Sequence, residues 1–146
     1  MPVVRIYVPI GRRELEDLAG QGLLDAAPTS PRHAFAVTDV LRSQAAGLDV
    51  EELEYSAFSD AVGASAGVRS SPEDRRIVAA ADADPTWVVA REGGPASSVD
   101  LVAPVPLSRI ASFHVDEGAG EMAGGDADDL LWYDVTELDE VRTLFP

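Results

Sequence analysis

The chain has 146 residues, a formal net charge of −15 at pH 7 and no cysteine. Hydrophobic residues make up 46% and charged residues 25%, a globular balance that argues against wholesale disorder. Without cysteine there is no disulfide scaffold, thiol nucleophile or thiolate metal site, and the acidic charge argues against a broad basic face for a nucleic-acid backbone.

The first element is a strand over 3–10. Val3, Val4, Ile6, Tyr7, Val8 and Ile10 form a near-continuous apolar run, the pattern of a strand buried on both faces. Pro9 has no N–H to donate, so pairing is expected to end there or to lie at an edge. A helix of about three turns follows over 12–24, with Leu15, Leu18 and Leu23 at roughly helical spacing and Gly20 and Gly22 weakening its end. Pro28 to Pro31 mark a loop, and residues 33–37 a short strand. Thr38 is placed to cap a short helix over 39–46, closed by Gly47.

The clearest helix spans 50–68. Asp49 and Glu52 form an aspartate version of the capping box. Leu53, Ala57, Ala61, Ala64 and Val68 make an apolar stripe, widened by Phe58 and Val62. Ser70 to Asp74 break the chain. Residues 76–81 read as a buried strand, 86–90 as a strand or loop rim, 92–98 as a turn, and 99–105 and 110–115 as strands. Gly118 to Asp129 is small, acidic and glycine-rich, and is expected to be a mobile loop. Residues 130–135 form the last strand, in which one of Trp132 and Tyr133 faces the core and the other faces out. Thr136 is placed to cap a terminal helix carrying Leu138, Val141 and Leu144 or Phe145.

This order predicts an α+β fold: a single globular domain over 1–146, with a mixed sheet of about five to six strands and helices packed mainly on one face. No apolar run approaches the ~20 residues of a membrane span. The apolar start lacks the cationic region and cleavage site of a signal peptide, so a cytoplasmic location is expected. All 11 basic residues are arginine, a codon bias that says nothing of activity.

Motifs for chemistry are sparse. There is no phosphate-binding loop and no dinucleotide fingerprint. Gly63 to Gly67 has the outline of a nucleophile elbow, but it lies inside a predicted helix with no strand before it. His33 and His114 are the only histidines. In His114-Val115-Asp116, period-two alternation aims the histidine and the aspartate the same way, as an acid–base pair or two metal ligands would require; the plainer reading is a polar, exposed strand end. Asp134 is the neighbour expected to complete such a cluster. Asp126, Asp128 and Asp129 offer hard oxygen ligands without the spacing of a calcium loop, so an acidic solvated loop is the plainer reading. Asp82 and Asp84 fall at a strand end or turn.

Several segments together, "VVRIYVPI", "HAFAVTDVLR", "EELEYSAFSDA", "RRIVAAADAD", "LVAPVPLSRIASFHVDE" and "LLWYDVTELDEV", resemble a family of small acidic actinobacterial proteins known only as a domain of unknown function. The resemblance runs in order over nearly the whole chain. It implies no activity, cofactor or catalytic residue. Family members often carry a longer stretch where this chain has 118–129.

The function expected is therefore that of a non-enzymatic interaction or regulatory module without a cofactor. The alternative is a small metal-dependent hydrolase using His114, Asp116 and Asp134. The acidic excess reads first as solubility and second as a surface for a basic partner. Another protein is the expected partner; nucleic acid and membrane are not, and the oligomeric state stays open.

Overall fold

The computed structural model describes residues 2–120 and 123–146. Among the described residues nine strands and four α-helices follow one another as β1 (Val4–Ile10), α1 (Arg12–Gly20), β2 (Leu23–Leu24), β3 (Arg32–Ala36), α2 (Asp39–Gln44), α3 (Val50–Ser65), β4 (Ile77–Ala83), β5 (Val88–Ala90), β6 (Ser98–Leu101), β7 (Val105–Pro106), β8 (Ile110–Val115), β9 (Leu131–Asp134) and α4 (Leu138–Thr143). Seven strands form one sheet in the order β5-β6-β3-β1-β4-β8-β9, and β2 pairs with β7 separately.

The fold is α+β, but three details of the expected architecture change. The main sheet has seven strands rather than five to six, because the three-residue β5 is an edge strand and not a loop rim. Every pairing in it is antiparallel, so it is not mixed. The helical crossover from β3 through α2 and α3 to β4 does join two strands of like direction. They are not neighbours, however, because β1 lies between them and runs opposite to both. Finally, the helices divide between the two faces rather than packing mainly on one.

That division follows from strand alternation in β1 and β4. Ile6, Val8 and Ile10 of β1, with Ile77, Ala79 and Ala81 of β4, face a core closed by Leu15 and Leu18 of α1 and by Leu138 and Val141 of α4. Tyr7, Val78 and Ala80 face the other way, against Ala57, Ala61 and Val62 of α3. The alanines let α3 lie close to the sheet, and together the two cores bury β1 on both faces, as its apolar run requires. Pairing of β1 with β3 stops at Tyr7, before Pro9, whereas its register with β4 continues to Ile10.

Local signals place the helix starts. Asp49 accepts from the Glu52 N–H at 2.8 Å, and Thr38 accepts from the Leu41 N–H at 3.0 Å. The α3 stripe ends at Ser65; Val68 lies in a following 3-10 turn and is exposed. Helix α1 stops at Gly20, and Gly22 takes a positive φ of 74° that turns the chain into β2. At α4 the capping residue is Asp134 instead of Thr136. Its carboxylate accepts from both the N–H and the hydroxyl of Thr136, starting a 3-10 turn that leads into the helix. No helix among the described residues is long and apolar enough to cross a membrane.

The expected mobile loop at 118–129 includes Glu121 and Met122, which lie outside the described residues. Its second half carries fixed contacts: Arg76 Nη2 donates to the Gly125 carbonyl at 2.6 Å, and Ala127 is buried against the α3 core.

Candidate functional site

The polar residues of β8 face α3. Phe113 and Val115 enter the opposite core, so Ser112 and His114 turn toward the helix. Register sets their neighbours. His114 lies between Val78 of β4 and Trp132 of β9, and Ser112 between Ala80 and Asp134. Above them sits Phe58 of α3, its ring 4.8 Å from His114 and 5.6 Å from Tyr7.

His114 Nε2 and Ser112 Oγ are 3.0 Å apart. Burial, with the positive charge of Arg5 adding to it, lowers the imidazole pKa to about 4, so it is neutral at physiological pH. Burial, reinforced by Glu54, raises the Tyr7 phenol to about 12. The floor beneath Phe58 is thus aromatic and hydrogen-bonding, with the charge of Arg5 at one end. Ser112 was not singled out from the sequence, although the alternation that aligns Asp116 with His114 places Ser112 there equally.

The expected cluster does not assemble as a reactive group. Asp116 is only 3% exposed, so it is not a solvated strand end. It lies just beyond β8, and both its oxygens are taken by Arg76. The Arg76 backbone N–H donates to Oδ2 at 2.8 Å, Nε to the same oxygen at 2.9 Å and Nη2 to Oδ1 at 2.9 Å. Asp134 is committed to Thr136 as a cap. Asp82 pairs with Arg5 at 2.8 Å, and Asp84 caps a 3-10 turn through Thr86. Ser65 of the glycine-flanked segment is buried on α3 and donates to the Val62 carbonyl at 2.6 Å. His33 stacks on Phe35 and meets Ser98 at 3.2 Å, far along the sheet from His114.

Asp126, Asp128 and Asp129 gather at a 3-10 turn beside α3. The Asp128 carboxylate raises the Tyr55 phenol pKa above its usual value, followed by desolvation and then by the charges of Asp126 and Asp129. Among the described residues no three histidine, aspartate or glutamate side chains converge as a metal ion would require.

Beside His114 a groove of about 320 Å³ opens between α3 and the β8–β9 end of the sheet. Tyr7, Phe58, His114 and Trp132 wall it, with Tyr55, Glu51 and Glu54 on the helix side and Arg5 at one end. Trp132 is 60% exposed, whereas Tyr133, its neighbour in β9, packs against the opposite core. The sequence required one to face out; the register of β9 with β8 decides which. A larger polar cleft beside α1, about 410 Å³, is lined by charges of both signs, of which Arg32 and Glu14 lie 3.7 Å apart.

A family model described as a family of unknown function (DUF6912) matches residues 4–141. The chain belongs to that family. The DUF6912 match starts at the first residue of β1 and ends within α4, so every residue of the groove lies inside it. No curated protein matches the chain, and no solved structure matches it. The resemblance noted from the sequence segments, to proteins known only as a domain of unknown function, agrees with this membership.

An imidazole with a pKa near 4 is a weak base at neutral pH and a poor partner for activating the Ser112 hydroxyl. Flat aromatic faces and an uncharged hydrogen-bonding pair serve recognition well.

Proposed function

We propose that this chain is a non-catalytic interaction module, working as one unit over 1–146, and that the α3–β9 groove is its binding surface. The observation that carries this is Trp132, a large side chain left 60% exposed on the sheet face beside Tyr55 and Phe58. An indole held on a rigid strand offers contact area at little entropic cost, and tryptophan is enriched among residues that dominate binding energy. The hydrolase alternative on His114, Asp116 and Asp134 draws no support from the geometry, since each carboxylate is already committed. The cytoplasm remains the proposed compartment, on the absence of cysteine.

The test is affinity capture with two baits, the wild-type chain and Trp132→Ala. A partner retained by the first and lost from the second, with the two baits melting alike, supports the reading. The same partners on both baits, or none on either, would remove the groove from consideration.

A further inference from the structure

Resting on that reading, we propose that the occupant of the groove is a basic segment of another protein, whose arginine or lysine side chains meet the acidic flank of α3 while an apolar side chain lies on Trp132. The groove does not end at Tyr55. A second depression of about 620 Å³, lined in part by Leu48, adjoins it, and both depressions share Glu51 and Tyr55. Leu48, Tyr55 and Trp132 are each exposed, at 43%, 47% and 60%, so the apolar surface is stepped along α3 rather than isolated. Surfaces of this kind, apolar at the centre and polar at the rim, mark protein contacts.

The rim decides what kind of partner fits. Asp49, Glu51, Glu52, Glu54 and Asp60 line the two depressions against a single cation, Arg5, whose guanidinium is already paired with Asp82. Asp49 and Glu52 are occupied in capping α3, and Asp60 accepts from Ser97. Among the described residues Glu51 and Glu54 have neither a hydrogen-bond partner nor an ion pair, and Asp128 adds its charge beside Tyr55. An anionic partner would meet like charge along the whole length. A cationic one finds carboxylates to pair with and aromatic faces that attract cations. The same charge pattern steers a basic segment toward the groove from a distance.

The probe is a blocked peptide of alternating arginine and leucine, titrated into the full chain and followed by the indole N–H resonance of Trp132. That resonance is one of two, assigned with Trp132→Phe. Saturable movement of the indole signal is expected, with affinity falling as salt rises. Trp132→Ala, which lacks this indole and is compared with the wild type by isothermal titration calorimetry, and the double variant Glu51→Gln with Glu54→Gln are each expected to weaken binding about tenfold or more. All three residues lie at the surface of the groove, so both variants should melt with the wild type, which a thermal scan checks.

A glutamate–leucine peptide that binds as tightly, or unchanged affinity in the double glutamine variant, overturns the basic partner while leaving the groove as a binding surface. Arginine–leucine binding that ignores Trp132→Ala overturns the groove as well, since it reports only attraction to an acidic chain. No movement of the indole resonance with either peptide overturns the basic-segment proposal and leaves the two-bait capture to decide the groove.

Discussion

Asp116→Ala removes the acceptor of three hydrogen bonds at once. What remains is the Arg76 guanidinium, 8% exposed, with the Gly125 carbonyl as its only other acceptor among the described residues, and a backbone N–H facing a void. Breaking a buried pair by deleting one partner costs about 3–5 kcal/mol, because an uncompensated charge stays buried. For a chain of this length each kcal/mol moves the melting temperature by roughly 3 °C, so a drop of about 10–15 °C is expected. Asp116→Asn keeps an acceptor for the backbone N–H and should lose clearly less. Arg76→Met with Asp116→Leu removes both charges and should return to within about 1–2 kcal/mol of wild type. Urea unfolding with an unchanged slope is the assay. If Asp116→Ala lies within about 1 kcal/mol of wild type, the pair is not buried as described and the anchoring of Gly125 falls with it.

Other substitutions test the packing and the groove. Leu53→Ala should cost about 2–5 kcal/mol in the same assay, since Leu53 is buried under α3. Phe58→Ala should cost less, because that ring is partly exposed, and it should shift the His114 ring resonances it stacks on. Glycines should split in sign. Gly63→Ala in α3 meets nothing within 4 Å and should stabilise by about 1 kcal/mol, whereas at Gly11 an added Cβ would sit 2.8 Å from the Val68 carbonyl and should destabilise. The His114 imidazole should titrate near pH 4 by NMR. Since the folded pKa lies below the ordinary 6.5, the unfolded chain binds this proton first. The stability linked to His114 is therefore full above about pH 6.5 and falls as the pH drops toward 4, by at most about 3 kcal/mol. A midpoint near 6.5 would show that the groove is wetter than described.

Much of the local chemistry was legible in the sequence, although the cap before α4 was read at Thr136 and lies at Asp134. The Asp49–Glu52 box, the Thr38 cap and the doubly buried β1 all follow from residues within a turn or a strand of one another, whereas the first helix, expected to reach residue 24, stops at Gly20. Trp132 and Tyr133 were legible only as a pair with opposite fates, because alternation fixes their opposition and only the pairing of β9 with β8 fixes its sense. The partner of Asp116 was not legible. A buried carboxylate demands a cation, but nothing in the run around His114 says that Arg76, at the start of β4, is the one. Likewise, β3 and β4 run in the same direction, as a helical crossover suggests, and no local signal shows that β1 lies between them.

The position of β1 at the middle of the sheet also sets a timetable for a chain being made. Its register with β3 covers only Ile6 and Tyr7, whereas β4 pairs along all of Val4–Ile10. Until residue 83 has left the ribosome, the central strand of the sheet lacks its main partner. At ordinary synthesis rates the wait lasts roughly 4–15 s. During it, a bare strand edge is open to pairing with another nascent chain. Pro9, which contributes no N–H to either neighbour, interrupts that edge and so acts as a gatekeeper for the interval before β4 arrives.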